Sequence, residues 1–274
     1  GTHSFRVRYW LRNTTDNPQG AIEGTVSKIV TLNCTAGSIN DITANLDPHN
    51  YDGDNYYMWD AQEQYWKGHE WDHSGSQPTL SQGLTGATTS GDYAQSSSDT
   101  NHRYYNEYYP GNGVSNPATQ SCAGLPNANE MSWYVMYGDP RWDGDELWTI
   151  MGHLYKGGMW FKKKSVLIAE NHYDTEKSAD GSTDLRTTSK DYTNNNSSIN
   201  SGIPSAADIG NYFYLPAFGT YNNGHLSGGG TQGNYWSSSA SLGYYQAYGL
   251  YFSSGIAYVG QYPRGNGYRV GTFE

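Results

Sequence analysis

The sequence predicts an α+β protein with a small twisted antiparallel sheet, two to three helices and long ordered loops. Its 274 residues include 34 Gly and 26 Tyr, which fill helices poorly and argue against an all-helical fold. Aromatic residues make up 15% of the chain, whereas disordered chains contain few of them. Two helix-capping patterns and several segments of alternating apolar residues predict helices beside strands.

The charge balance excludes two classes of partner. The chain holds 16 Lys and Arg against 26 Asp and Glu, which gives a net charge of −10. Binding to nucleic acid or to an anionic membrane normally requires a basic surface, so neither is predicted. No apolar run reaches the roughly 18 residues of a membrane span. We expect residue 1 to follow a removed export signal, which implies an extracellular or bacterial cell-surface location.

The first 120 residues predict two strands followed by loops. Residues 3–12 alternate between apolar and polar side chains, as a half-buried strand does, and a second strand is predicted near 25–35. Residues 41–119 are rich in Asn, Asp, Ser, Gly and Tyr, and predict long ordered loops with short strands. Cys34 and Cys122 are compatible with one disulfide in an exported protein and equally with two buried thiols.

Two helices are predicted in the middle of the chain, each from a capping box. Asn127 is followed three residues later by Glu130, and Asp143 is followed in the same way by Glu146. The predicted helices span 128–137 and 145–155. A strand is predicted through 159–168, and a short third helix at 205–208.

The C-terminal region predicts an antiparallel hairpin. Leu250 and Phe252 alternate with polar neighbours, Ala257 and Val259 do the same, and the turn between them lies at 253–255. A final strand is predicted around Arg269. The side chains between the apolar positions are expected to face solvent.

Several motifs in this region resemble a C-type-lectin-like family of variable surface proteins from gut anaerobic bacteria. The family includes cell-adhesion or fimbrial-tip proteins and is similar to the variable proteins of diversity-generating retroelements. The matching C-terminal motifs are Leu215-Pro216-Ala217, Gly233-Asn234-Tyr235-Trp236-Ser237-Ser238, Leu250-Tyr251-Phe252 and Arg264-Gly265-Asn266-Gly267-Tyr268-Arg269-Val270. The matching upstream motifs are Tyr57-Met58-Trp59-Asp60-Ala61, Asn129-Glu130-Met131, Gly152-His153-Leu154-Tyr155 and Gly157-Gly158-Met159-Trp160.

This resemblance implies a C-type-lectin-like ligand-binding domain over residues 45–274, preceded by an N-terminal β segment over residues 1–44. It implies a fixed scaffold whose surface residues vary to bind different partners. Trp236 is then a core residue, and Arg264 and Arg269 are scaffold residues that hydrogen-bond strand ends.

The composition near the C-terminus independently predicts a binding surface. Of the 36 residues in 233–268, 8 are Tyr, 7 Gly, 6 Ser and 2 Asn, and Arg264 is the one charged residue. Antibody paratopes have the same bias, because Tyr supplies rigid amphipathic area and Ser, Gly and Asn supply adaptable hydrogen bonds. Part of the enrichment also suits strands and turns. The predicted ligand-binding residues are Asn234, Tyr244, Tyr245, Gln246, Tyr248, Tyr251, Ser253, Ile256, Tyr258, Gln261, Tyr262, Asn266 and Tyr268.

One enzymatic motif needs a separate interpretation. Residues 69–73 match the H-E-x-x-H pattern of zinc proteases, in which both histidines lie on one helix face and the Glu is the general base. Gly68 precedes the motif and Pro78 follows it closely, and no apolar stripe would pack such a helix. A solvated loop is therefore the preferred interpretation.

The sequence-based hypothesis is a non-enzymatic recognition or adhesion protein without a cofactor or metal. Its predicted partner is a surface protein or glycan, with fimbrial subunits as further candidate partners. Two alternatives stay open at this stage. One is a zinc-dependent hydrolase using His69, Glu70 and His73. The other is a structural pilin subunit whose Tyr-rich tail is an assembly surface.

Overall fold

A computed structural model describes residues 1–13, 21–41, 45, 47–74, 91–109, 117–271 and 273–274. Strands account for about 40% of the chain and helices for 9%. The α+β, C-type-lectin-like fold that the sequence predicts is therefore wrong, and the fold is mainly β. The largest single difference is in the middle of the chain, where a predicted helix is a pair of strands.

The elements have the following bounds. The strands are β1 Thr2–Asn13, β2 Ile22–Asn33, β3 His49–Tyr51, β4 Tyr56–Tyr57, β5 Arg141–Ile150, β6 His153–Lys162, β7 Tyr192–Asn195, β8 Asn200–Ser201, β9 Tyr212–Pro216, β10 Thr220–Asn222, β11 His225–Ser227, β12 Gln232–Ala240, β13 Gln246–Ser253, β14 Ile256–Pro263 and β15 Tyr268–Arg269. The α-helices are α1 Ala128–Tyr137 and α2 Lys164–Ala169. Short 3-10 helices occupy Asn196–Ser198 and Ile209–Asn211.

The N-terminal strands extend a seven-stranded sheet. Its order is β1-β2-β5-β6-β9, with β3 and β8 pairing with β5. β1 and β2 form a twelve-pair antiparallel hairpin, which confirms the two strands predicted from alternation. Ile22 and Val26 pack with Leu147 of β5 in a small core that joins the hairpin to the rest of the sheet. The division of the chain at residue 44 stays a prediction.

The predicted helix over 145–155 is wrong, because these residues lie in β5 and β6. The two strands form an antiparallel hairpin closed by Met151 and Gly152. Both turn residues have positive φ, 50° and 74°, as in the type I′ turns that suit hairpins. The Oδ1 atom of Asp143 does accept the N–H groups two and three residues ahead, as a helix cap does, but at an irregularity in the strand pairing.

Long-range pairing explains why this segment is not helical. β5 pairs with β2, β3 and β8 as well as with β6, and β6 pairs with β9. These partners come from distant parts of the chain, and tertiary pairing of this kind overrides a local helix signal. Two smaller predictions are also corrected. Residues 165–168 belong to α2 rather than to a strand, and the short helix predicted at 205–208 is a 3-10 helix at Ile209–Asn211.

A pH-sensitive contact joins β2 to β5. The Oε1 atom of Glu146 accepts the backbone N–H of Ser27 at 3.1 Å, and burial raises the pKa of Glu146 to about 7. The folded protein therefore holds this proton more tightly than the unfolded chain does, and stability should fall as pH rises from about 4.5 to 7. Glu146→Gln should reduce the stability loss between pH 5 and pH 8 by about 2–3 kcal/mol, measured by urea unfolding.

Glu23 on β2 gives the control for this experiment, because its side chain is 62% exposed. Glu23→Gln should leave the pH dependence of unfolding unchanged. An identical pH profile in the Glu146→Gln variant and the unmodified protein would show that Glu146 titrates normally.

The second sheet carries the C-terminal hairpin. Its order is β4-β15-β12-β13-β14-β7, so β13 and β14 lie inside it, as the predicted hairpin requires. We call the face that packs against α1 and the first sheet the inner face, and the opposite face the outer face. α1 begins with the predicted capping box, in which Asn127 and Glu130 each accept the backbone N–H of the other.

A separate small core lies on the outer face of this sheet. Trp236 and Trp59 are fully buried there with Cys122 and Tyr268. The Trp236 Nε1–H donates to the carbonyl of Tyr57 at 2.8 Å, and the Trp59 Nε1–H donates to the carbonyl of Ser237 at 3.0 Å. The burial of Trp236 confirms the prediction that it is a core residue. Loops from the first half of the chain therefore cover one side of the outer face and leave the other side open.

Candidate ligand-binding surface

The open side of the outer face is formed by the C-terminal hairpin. Leu250, Phe252, Ala257 and Val259 are fully buried on the inner face. The side chains that alternate with them point outward and are half-exposed. They are Tyr251, Ser253, Ile256 and Tyr258. This orientation is the one that strand alternation predicts.

Two paired glycines let a tyrosine ring lie flat on this face. Gly249 and Gly260 are directly opposite each other in β13 and β14. A Cβ atom added at Gly260 would lie only 2.3 Å from the ring of Tyr258, and one added at Gly249 would lie 3.4 Å from the ring of Tyr262. The rings of Tyr258 and Tyr262 therefore pack on the backbone of these two glycines, and a side chain at Gly260 would force Tyr258 to move.

Aromatic rings connect this face to the small core. The ring centroids of Trp236 and Tyr268 are 4.3 Å apart, those of Tyr268 and Tyr262 are 5.4 Å apart, and those of Tyr262 and Tyr258 are 6.2 Å apart. Burial raises the pKa of Tyr262 and Tyr268 above the ordinary tyrosine value, so both hydroxyls are neutral at physiological pH. The half-exposed Tyr258 and Tyr262 therefore contact, through Tyr268, the buried ring of Trp236.

A second group of tyrosines gathers at one end of the hairpin. Tyr244 and Tyr245, in the turn between β12 and β13, are 48% and 59% exposed. Tyr109, from a distant loop, meets Tyr244 edge to face at 5.1 Å and donates its hydroxyl to the carbonyl of Leu242. Tyr108 in the same loop is 66% exposed. We use the name tyrosine surface for this group together with the hairpin face: Tyr104, Tyr105, Tyr108, Tyr109, Tyr244, Tyr245, Tyr251, Tyr258 and Tyr262.

Arg264 ties the loop to the hairpin. Its side chain is only 1% exposed and stacks on the ring of Trp59 at 4.6 Å. Its Nε–H donates to the carbonyl of Gln246, and its Nη1 donates to the carbonyl of Asn106 at 2.8 Å. Arg269 similarly donates to the carbonyl of Asp52. Both arginines therefore bind backbone carbonyls.

Asp60 holds the same loop from the other side. Asp60 is fully buried, and its backbone φ is positive, at 54°. Its Oδ2 accepts the side-chain amide of Asn106 and the N–H of Thr119, and its Oδ1 accepts the N–H groups of Gln120 and Cys122. Four donors from two loops bind this one side chain. Asp60 therefore links the loop that carries Tyr104 to Tyr109 to the loop at residues 119–122.

The structure places the predicted binding residues in different environments. Tyr244 and Tyr245 are exposed. Half-exposed residues are Gln246, Tyr251, Ser253, Ile256, Tyr258, Gln261, Tyr262 and Asn266. Asn234, Tyr248 and Tyr268 are buried, at 2%, 0% and 3% exposure. Strand pairing also puts Tyr248 and Gln261 opposite each other on the inner-face register, and Gln261 donates to the hydroxyl of Ser189.

The sequence interpretation missed the four tyrosines at 104, 105, 108 and 109. The available signal was their density, since Arg103 is followed by Tyr-Tyr-Asn-Glu-Tyr-Tyr. Only the fold brings this segment to the hairpin, across more than 130 residues of chain between Tyr109 and Tyr244.

The H-E-x-x-H segment lies in a series of turns. Residues 65–73 carry no helix, so the two histidines are not held one turn apart on a helix face. His73 Nδ1 lies 3.2 Å from Asp72 Oδ1 and 3.5 Å from Glu70 Oε2. Within the described ranges, no three His, Cys, Asp or Glu side chains are grouped to hold a metal ion. Cys34 and Cys122 are both free thiols, and burial raises the pKa of Cys122 to about 12.

The chain matches no protein-family model, no curated protein and no solved structure. Among the described residues, no helix is both long enough and apolar enough to cross a bilayer.

Proposed function

We propose that this protein is a non-catalytic recognition or adhesion protein that binds a protein or glycan through the tyrosine surface. The observation that carries the proposal is the assembly of tyrosines from two distant segments on one side of the molecule, with few charged side chains among them. A cell-surface or extracellular location fits this role and is part of the proposal.

The physical basis is the low cost of removing such a surface from water. Tyrosine has few rotatable bonds and an apolar ring, so it loses little entropy on binding and buries much area. Its hydroxyl still offers a hydrogen bond to a sugar or a backbone group. The tyrosine surface is also held in place by Asp60, Arg264 and the paired glycines, so ordering it on binding costs little.

The proposal is tested by Tyr→Ala substitutions on the tyrosine surface. A glycan array and a panel of surface proteins, probed with the purified chain, first provide a ligand. Alanine at Tyr245, Tyr251, Tyr258 or Tyr262 should then weaken binding, with at least one position costing about 2 kcal/mol or more, as expected for an interface hot spot. Binding is measured by calorimetry and folding by the melting temperature.

Tyr137 provides the matched control. It is 38% exposed on α1, which packs against the inner face of the sheet, and its ring stacks on His172. Tyr137→Ala should leave affinity unchanged. Full binding in all four tyrosine variants would place the ligand elsewhere, and unfolding of all four would show that these rings serve the fold alone.

A further inference from the structure

A cavity lies beside the N-terminal hairpin, and none of the residues that line it belongs to the tyrosine surface. The cavity has a volume of about 480 Å³ and lies between the β1–β2 hairpin, β6 and the segment that contains the 3-10 helix Ile209–Asn211. Its volume falls in the range of small-molecule sites, roughly 300–1,000 Å³. Part of the wall is apolar, including Phe5, Ile29 and Ile209, and Trp160 adds an aromatic ring.

Two cations line this cavity, and no described carboxylate pairs with either of them. Arg6 and Lys163 are both half-buried. Arg6 donates to the backbone carbonyl of Pro204 at 2.9 Å, and within the residues described here neither side chain has a carboxylate at salt-bridge distance. The chain has ten more acidic than basic residues, and nine of its other fourteen lysines and arginines have an acidic partner.

The neighbouring acids are engaged elsewhere. Asp208, in the segment above the cavity, accepts the hydroxyl of Ser205. Asp143 accepts the indole N–H of Trp160, and Glu146 accepts the backbone N–H of Ser27. None of the three lines the cavity. Half-buried cations are costly without a partner, so the positive side of this cavity is suited to an anionic group from outside the chain.

We infer that this cavity binds a small organic anion, with its acidic group at Arg6 and Lys163 and its apolar body against Phe5, Ile29 and Ile209. A carboxylate or a sulfonate on an aromatic or aliphatic body has this chemistry. Arginine and lysine both donate hydrogen bonds to such groups, and the apolar wall accounts for selection against inorganic ions. The site is independent of the tyrosine surface.

The experiment uses 8-anilinonaphthalene-1-sulfonate, a fluorescent aromatic anion, with the whole chain. It should bind at one site per molecule, and Arg6→Gln combined with Lys163→Gln should weaken it at least tenfold. N-phenyl-1-naphthylamine, which has the same body without the charge, should bind the variant and the unmodified protein equally. Ala207→Trp, at the edge of the cavity, should exclude both probes.

Lys28→Gln is the matched control, because Lys28 lies on the opposite side of β2 from Ser27 and Ile29, and it should leave both affinities unchanged. All variants should retain the melting temperature of the unmodified protein. No stoichiometric binding of the anion, equal loss on Lys28→Gln, or equal weakening of the neutral probe by the double variant would each overturn the inference.

Discussion

Replacing Asp60 by Asn should lower the free energy of unfolding by about 3–5 kcal/mol. Both carboxylate oxygens accept donors, from Asn106, Thr119, Gln120 and Cys122. Each carboxylate oxygen accepts two of these donors, whereas Asn has the same shape but only one acceptor oxygen, so its NH₂ group would face two N–H groups and leave both unsatisfied. Hydrogen bonds to a charged group contribute about 1.5–3 kcal/mol each, and two or more would be lost.

The backbone does not confound this experiment. Asp60 has a positive φ, and Asn tolerates that conformation as well as Asp does. Asp52→Asn is the control, because the Oδ1 atom of Asp52 accepts one N–H in an exposed turn. Its effect should stay within about 0.5 kcal/mol. Urea unfolding measures both variants, and equal stabilities would show that Asp60 does not hold the two loops together.

The Asp60→Asn variant should also loosen the loop of the tyrosine surface that Asp60 holds. The side-chain amide of Asn106 donates to Asp60, and the backbone carbonyl of Asn106 accepts from Arg264. Asn106 therefore connects the two residues that hold the loop carrying Tyr108 and Tyr109. Loss of one support should raise hydrogen exchange in 104–109 before it affects the hairpin strands. Uniform exchange changes across the chain would contradict a local role.

Trp236→Ala should cost about 3–5 kcal/mol of stability, as for other large core aromatics. The ring is fully buried, stacks on Tyr268 at 4.3 Å and donates its N–H to the carbonyl of Tyr57. Its removal leaves a cavity and an unpaired carbonyl in the small core beside the tyrosine surface. Thermal and urea unfolding measure the change.

Trp10→Ala is the control of the same residue type, since Trp10 is 65% exposed on β1. It should change the free energy of unfolding by no more than about 0.5 kcal/mol. A Trp236→Ala variant as stable as the Trp10→Ala variant would show that the small core contributes little to the fold.

Local patterns were sufficient where an element is decided by its own residues. The capping box at Asn127 and Glu130 correctly predicts α1, because both hydrogen bonds close within three residues. The alternation around Leu250 and Val259 correctly predicts the β13–β14 hairpin and its buried side, because the pleat itself sends neighbouring side chains to opposite faces. The burial of Trp236 was also correctly predicted.

Local patterns failed where distant partners decide. Asp143 and Glu146 resemble a helix start, yet their segment pairs with β2 and β3 from the N-terminal part of the chain and with β8 about 50 residues further on, and those pairings outweigh the local signal. This segment is one of several in which strands replace the helices and loops that the sequence predicted. Within the predicted binding residues, Asn234, Tyr248 and Tyr268 are buried for a similar reason, since covering loops and the opposite layer come from elsewhere in the chain.

The sequence alone determined the composition of a tyrosine-rich, weakly charged surface and the alternation of the hairpin that carries part of it. The tertiary structure alone decided that Tyr104 to Tyr109 join this surface, that Asp60 and Arg264 support it, and that Arg6 and Lys163 meet at one cavity. The physical reason is the distance along the chain over which each interaction acts. Capping and pleating act between neighbours in sequence, whereas burial and charge pairing depend on which distant segments the fold brings together.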